Sequence, residues 1–150
     1  MAKKRITKAT YLKWYEDMLF WRKFEDMSAA LYIQQKIRGF LHLYNGQEAV
    51  LAGSAFAMEK GDKMITAYRN HVQPIALGED PRRIMAELMG KVTGTSRGKG
   101  GSMHMFSPEL GFWGGHGIVG GQIPLGAGLA FADKYNDKKN VTLTYMETAR

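Results

Sequence analysis

The sequence predicts an α/β fold with a parallel sheet and flanking helices. Helical and strand-like segments alternate through the second half of the chain, the order that produces parallel strands joined by helices. Two short runs, "KMITAY" and "VTLTYM", have the length and composition of strands. No internal repeat or linker divides the 150 residues, so we expect them to belong to one domain.

The first predicted helix runs from Thr7 to about Lys36, a stretch without Pro or Gly. Apolar residues recur at helical spacing and cover a wide face, which predicts burial against more than one neighbour. Arg38-Gly39 is expected to end this helix. A second helix, rich in alanine and therefore thin, is predicted from near Asn45 to Gly61.

"KMITAY" is the first predicted strand, and Pro81 opens a helix that ends at Gly90. Residues 91–117 are rich in glycine and show no strong period, so we expect a long loop that is either functional or disordered. A helix of small residues follows from about Gln122 to Tyr135, and "VTLTYM" is predicted as a buried strand that reaches the sheet edge.

Composition excludes several classes of protein. No apolar run reaches the roughly 18 residues of a membrane span, and the start lacks the apolar stretch of a secretory signal. The absence of cysteine removes any disulfide framework and makes a cytoplasmic location the expectation. The net charge of +7 is spread along the chain instead of forming one basic stripe, so we expect no nucleic-acid partner.

The stretch "GHGIVG" satisfies the pattern G-x-G-x-x-G, which in dinucleotide-binding folds follows a strand and opens a helix. The preceding "SPELGFWG" does not read as an apolar strand, and the nearby acids Asp133 and Asp137 belong to the following helix and turn. A Rossmann site is therefore poorly supported. The glycines either serve turns and packing, or let the backbone at Gly117, Ile118 and Val119 face a ligand.

Other candidate residues follow the first strand or precede the second helix. Arg69 carries a planar cation suited to phosphate, and Tyr68 could donate its hydroxyl to the same oxygens, although an Arg at a strand end is often an ion-pair residue. His42 lies among apolar residues, where a histidine is usually structural. Glu48 lies in a first helical turn, where the helix dipole favours a carboxylate.

The segment "SRGKGGSMHMF" places Arg97, Lys99 and His104 on a flexible glycine scaffold. It is either a mobile substrate loop or an ordinary basic surface loop. The sequence contains no metal-ligand spacing, nucleophile elbow or P-loop.

Several of these segments occur together in the order of one protein family: "RGFLHLYNGQEA", "TAYRNH", "GKGGSMHMF", "GGHGIVGGQIPLGAGLAFADKY" and "VTLTYM". The chain resembles the alpha subunits of the thiamine-diphosphate-dependent 2-oxo acid dehydrogenases, from about Thr7 to Met146. "GKGGSMHM" is most similar to the pyruvate-specific members, while acetoin-type members share much of it, and acetoin or branched-chain substrates stay as alternatives.

The resemblance implies a thiamine-diphosphate-binding fold with the cofactor between an alpha and a beta subunit. By position, Tyr68 and Arg69 match residues that hold the diphosphate, and Gly117 and Val119 match backbone positions that meet the aminopyrimidine ring. His42 matches a histidine near the substrate. The glutamate that activates the pyrimidine belongs to the beta subunit, so Glu48 is not expected to be that residue.

The implied reaction is oxidative decarboxylation of pyruvate, in which the thiazolium ring accepts the electron pair left by carbon dioxide. The product is oxidised onto the lipoyl domain of the acyltransferase component. The beta subunit, that lipoyl domain and pyruvate are thus the implied partners, and thiamine diphosphate with Mg²⁺ the implied cofactors.

The resemblance fails at the end of the chain. After the "VTLTYM" strand the family continues with Gly-Asp-Gly, whose aspartate binds Mg²⁺, whereas this sequence has Glu147-Thr148-Ala149-Arg150. A Gly-Asp-Gly-Ala coding run that loses one leading base can read Glu-Thr-Ala, so we interpret "ETAR" as an out-of-frame reading of that motif.

We therefore expect residues 1–150 to be the N-terminal part of a single domain, incomplete at the C-terminus, without metal ligands and inactive alone. The alternative from another class is a non-catalytic interaction module that uses its first helix to bind a partner subunit.

Overall fold

A three-stranded parallel sheet organises residues 5–146, the part of the chain that the structure, a computed structural model, describes. Strand β1 (Lys63–Ala67) lies between β2 (Phe112–His116) and β3 (Thr142–Thr144). Met64 to Ala67 of β1 are buried, as expected for the middle strand. The predicted α/β class and parallel sheet are confirmed.

Five α-helices accompany the sheet in the described part of the chain, together with one 3₁₀ turn at Pro108–Leu110. They are α1 (Lys8–Ile33), α2 (Glu48–Ala57), α3 (Val72–Ala76), α4 (Pro81–Leu88) and α5 (Gln122–Tyr135). The bounds predicted for α5 are confirmed, and those for α4 differ only at its last turn.

Helix α1 begins where the sequence predicts and ends earlier. The Thr7 side chain accepts a hydrogen bond from the Thr10 amide, and the Thr10 hydroxyl accepts one from the Thr7 amide, which satisfies two amides at the helix start. The prediction that Arg38-Gly39 ends the helix is wrong. Gln35 already adopts a left-handed conformation with φ of 58°, and α1 ends at Ile33.

Helix α2 is shorter than predicted at both ends. Gly46 has a φ of 90°, outside the helical region, so the helix begins at Glu48 instead of near Asn45. Met58 is extended and ends the helix before Gly61.

The structure contains one strand and one helix that the sequence did not predict. Strand β2 lies inside the segment read as loop, and its pattern is obscured because Gly114 and Gly115 occupy buried positions. A side chain at Gly114 would collide with the Phe106 ring, so the strand requires glycine there. Helix α3 is only five residues long and contains Pro74, too little for a helical period to show.

Strand β3 is half-buried, which corrects the prediction of a buried strand. It pairs with β1 on one side, and no strand lies on its other side within residues 5–146. One face is covered closely by α5, because a side chain at Gly126 would collide with the Thr144 hydroxyl.

The hydrophobic core lies between the sheet and the N-terminal helices. Trp21 and Phe24 of α1 pack with Leu51 of α2, Met64 of β1 and Phe112 of β2. The wide apolar face of α1 is only partly used, since several of its large residues are exposed in the described structure: Tyr11, Leu12, Tyr15, Leu19 and Phe20.

A buried carboxylate organises the glycine-rich segment after α4. Glu87 is fully buried, and its two oxygens accept four hydrogen bonds from main-chain amides. Ser96 and Gly98 donate to Oε2, both at 2.8 Å, while Gly100 and Gly101 donate to Oε1 at 2.8 and 3.1 Å. Hydrogen bonds to a charged acceptor are among the stronger ones in proteins.

The glycines of this segment provide close packing. A side chain at Gly98, whose φ is 73°, would collide with the Gly90 backbone, and one at Gly100 would collide with the His104 carbonyl. The glycine-rich segment, which the sequence predicted to be flexible, is thus held by hydrogen bonds around Glu87. The long loop therefore follows a defined path.

Replacing Glu87 with Gln should destabilise the chain by about 3 kcal/mol, because the amide nitrogen cannot accept and would face two of the four donors. Urea unfolding followed by tryptophan fluorescence measures the change. The control is Glu109→Gln, which alters an exposed carboxylate and should shift stability by less than about 0.5 kcal/mol. Equal midpoints for the two variants would contradict the role given to Glu87.

Candidate functional site

The candidate site lies at the carboxyl ends of β1 and β2. The two strands are parallel, with Ala67 opposite His116, so the segments that follow them leave the same edge of the sheet. Tyr68 and Arg69 follow β1, and Gly117 to Val119 follow β2. Ligands of open α/β sheets bind preferentially at this edge.

His42, Tyr68 and Arg69 form one cluster. The rings of His42 and Tyr68 lie 4.6 Å apart with an interplanar angle of 65°. The Arg69 guanidinium lies 5.5 Å from the Tyr68 ring centre, and its Nη1 donates to the Leu43 carbonyl at 2.8 Å. All three side chains are half-buried, so they are ordered by neighbours yet reachable by a ligand.

The bend that follows β2 is exposed from Gly117 to Val119. A side chain added at Gly117 would meet the His104 ring at 3.4 Å, and His104 Nδ1 lies 3.2 Å from the Gly115 carbonyl. The structure therefore brings His104, from the glycine-rich segment, to the same edge as the predicted cofactor positions.

Lys99 lies away from the cluster of His42, Tyr68 and Arg69. It lines a separate cavity of about 780 Å³ together with Lys36, Arg38 and Lys91, and none of the predicted cofactor residues lines that cavity. The loop thus divides its candidate residues between two places on the molecule.

The prediction that no strand precedes "GHGIVG" is wrong, because β2 ends at His116 and the bend leads directly into α5. Burial lowers the pKa of His116, a hydrogen bond with the Trp113 backbone opposes this effect, and the nearby His104 lowers the pKa further. The His116 Nε2 is buried and makes no hydrogen bond within the described structure. His116 therefore favours its neutral form.

Sequence reasoning missed the buried residues behind the cluster. The Asn70 side-chain amide donates to the carbonyls of Tyr68 and Ser102 at 2.9 and 3.0 Å, and its oxygen accepts from the Met105 amide. His71 is also fully buried. The sequence did carry a signal, because Asn70 and His71 are two polar residues that come shortly after a buried strand. Buried polar side chains at such a place must be hydrogen-bonded.

Glu48 has a structural role. Its carboxylate receives two hydrogen bonds from Arg22, at 2.6 and 3.0 Å, and one from the Gly46 amide. Burial raises the pKa of Glu48, but the bonds from Arg22 and from backbone amides outweigh burial, so the net pKa lies below its ordinary value. The ion pair joins α1 to the start of α2.

Residues 5–146 contain no group of three or more His, Asp or Glu side chains placed to hold a metal ion. Glu147 to Arg150, which stand where the Gly-Asp-Gly motif was expected, lie outside the described residues. No helix in the described part of the chain is long and apolar enough to cross a membrane.

Comparison with known proteins decides the family. Residues 16–148 match the model of the dehydrogenase E1 component. The chain belongs to the dehydrogenase E1 component family. This membership confirms the resemblance predicted from the sequence motifs.

Curated relatives in the E1 family carry the name pyruvate dehydrogenase E1 component subunit alpha. The protein from Rickettsia conorii is 49% identical over 146 residues, which cover 97% of this chain and 45% of the relative. The protein from Rhizobium meliloti is 52% identical over 140 residues, or 93% of this chain and 40% of the relative. The chain thus spans less than half the length of these relatives.

Replacing His116 with Gln should flatten the dependence of stability on pH. Because the folded pKa of His116 is depressed below 6.5, the unfolded chain binds more protons in this window, and stability falls as pH drops from about 7 through the folded pKa. Urea unfolding at a series of pH values measures the slope. Lys138→Gln, an exposed substitution, should keep the wild-type slope. A steeper slope for His116→Gln would contradict the burial effect.

Proposed function

We propose that this chain provides the alpha-subunit portion of a pyruvate dehydrogenase that binds thiamine diphosphate and decarboxylates pyruvate. The observation that carries the proposal is the meeting of the Tyr68–Arg69 pair, His42 and the exposed bend at Gly117–Val119 on one sheet edge. In this proposal residues 1–150 form the first part of a single thiamine-diphosphate-binding domain.

The chemistry of these residues fits the cofactor. Arg69 offers a fixed cation and several N–H donors for a diphosphate, and the Tyr68 hydroxyl is a further donor next to it. The backbone of Gly117 and Val119 would meet the aminopyrimidine ring, where an exposed bend leaves the main chain accessible. The two groups of residues follow neighbouring parallel strands and therefore lie at the same edge of the sheet.

When bound, thiamine diphosphate supplies the thiazolium ring that accepts the electron pair left behind when carbon dioxide departs. The residues of this chain bind and orient. Arg69 and Tyr68 hold the diphosphate end, and the bend after β2 holds the pyrimidine end. His42, whose ring packs against Tyr68, places an imidazole beside the substrate, where it can donate a hydrogen bond to a carboxylate.

Mg²⁺ belongs to the same proposal, because a diphosphate needs charge neutralisation beyond one guanidinium. In this proposal its ligands would lie outside residues 5–146, because those residues contain no group of three or more His, Asp or Glu side chains placed to hold a metal ion. The cytoplasm is the proposed location.

The proposed partners are a beta subunit and the lipoyl domain of an acyltransferase component. Exposed apolar side chains on α5 support a subunit contact: Ile123, Leu125, Phe131 and Tyr135. The exposed apolar residues of α1 equally favour the second candidate function, a non-catalytic module that binds a partner subunit. Acetoin or a branched-chain 2-oxo acid stays as the alternative substrate.

Arg69→Gln should weaken thiamine diphosphate binding by about 10-fold or more, the loss expected when a charge-assisted hydrogen bond to phosphate is removed. Isothermal calorimetry with and without Mg²⁺ measures the affinity. Arg82→Gln is the matched control, since Arg82 is an exposed arginine on α4, and it should change affinity by less than about twofold. Absence of binding to the wild-type chain, or an equal affinity for both variants, would overturn the proposal.

A further inference from the structure

Behind the candidate site, a buried chain of hydrogen bonds connects α1 with the backbone of His42. His71 Nδ1 lies 2.8 Å from Glu25 Oε2, and His71 Nε2 lies 2.6 Å from Ser102 Oγ. The same Ser102 Oγ accepts a hydrogen bond from the His42 amide at 3.0 Å. Glu25 and His71 are fully buried, and Ser102 is 5% exposed.

The partners give this chain one consistent direction. The Glu25 carboxylate accepts from the Tyr44 amide through Oε1, and as an acceptor at Oε2 it requires the hydrogen on His71 Nδ1. His71 Nε2 then accepts from the Ser102 hydroxyl, which leaves a lone pair of that oxygen for the His42 amide. Each polar side-chain group in this chain of hydrogen bonds (Glu25, His71 and Ser102) is thereby paired, as burial requires.

The chain of hydrogen bonds holds the segment that carries His42 at two points. Tyr44, held by Glu25, and His42, held by Ser102, lie two residues apart. The intervening Leu43 carbonyl accepts from Arg69. Three successive residues are thus fixed by three different side chains, from α1, from the glycine-rich segment and from the end of β1.

We propose that His71 is a positioning residue that acts through Ser102 to fix the backbone of His42 and hold its imidazole against Tyr68. The inference rests on the proposed function only for the role of His42 beside the substrate. The hydrogen-bond chain itself is independent of that role.

The acid–histidine–serine order resembles that of a hydrolase triad, but the Ser102 oxygen is committed on both sides. It donates to His71, accepts from His42 and is almost inaccessible to a substrate. The geometry therefore supports positioning over nucleophilic attack. Labelling of Ser102 by a fluorophosphonate probe would overturn this assignment.

Two measurements on the wild-type chain test the proposal directly. Long-range ¹⁵N–¹H correlation spectra should show the hydrogen of His71 on Nδ1, and amide hydrogen exchange should show a protected His42 amide. Observation of the Nε2–H tautomer, or exchange of the His42 amide at its unprotected rate, would refute the proposal without any variant.

Ser102→Ala tests the dependence of His42 on this chain. Exchange of the His42 amide should become faster by about fivefold or more, the change expected for the loss of one hydrogen bond. The amide of Ile84, a buried residue of α4, should change no more than it does in the control. The control is Ser28→Ala, which removes another buried hydroxyl, one that donates to the Phe24 carbonyl within α1.

Ser102→Thr retains the hydroxyl and should restore protection of the His42 amide. Equal protection of His42 in Ser102→Ala and Ser28→Ala would overturn the proposal. Thiamine diphosphate affinity, measured on the same proteins, separates the two claims: it should stay within about twofold in Ser102→Ala. A wild-type chain that binds no cofactor would contradict the proposed function alone.

Discussion

The buried carboxylate of Glu87 is the constraint on which the candidate site depends. Four main-chain amides point at its two oxygens, so residues 96–101 must close around it. This closure starts the path that brings Ser102 to His71 and His104 to Gly115. Residues 91–117 contain eight glycines, and such a segment would otherwise have many conformations of similar energy.

The parallel sheet contributes the second constraint. Strands that run in the same direction deliver their following segments to one edge, and here β1 and β2 deliver the predicted diphosphate and pyrimidine positions. Asn70 ties the two constraints together, because its side chain bonds both to the carbonyl after β1 and to the glycine-rich segment. The site is therefore built by the sheet and fastened by buried polar side chains.

The predictability of these elements from sequence follows from their physics. Helix α5 and strand β1 carry a local pattern and were predicted closely, whereas β2 was missed because its glycines conceal any alternation. His42, Tyr68 and Arg69 were named as substrate and cofactor positions by resemblance alone, and their contact with one another was not predicted. Residues about 26 positions apart give no local signal of contact. The roles of Glu25, Glu87 and Ser102 depend on long-range hydrogen bonds, which no periodicity encodes.

The burial of the four residues from Tyr68 to His71 changes halfway along the tetrapeptide. Tyr68 and Arg69 are half-buried at the sheet edge, whereas Asn70 and His71 are fully buried in the interior. Whether each of these residues is half-buried or fully buried depends on its number of positions from the end of β1. Insertion of one residue before Tyr68 would shift Arg69 into the buried place of Asn70, and a deletion there would shift Asn70 into the half-buried place of Arg69. This tetrapeptide therefore has a fixed length, and variation in protein length must be accommodated elsewhere in the chain.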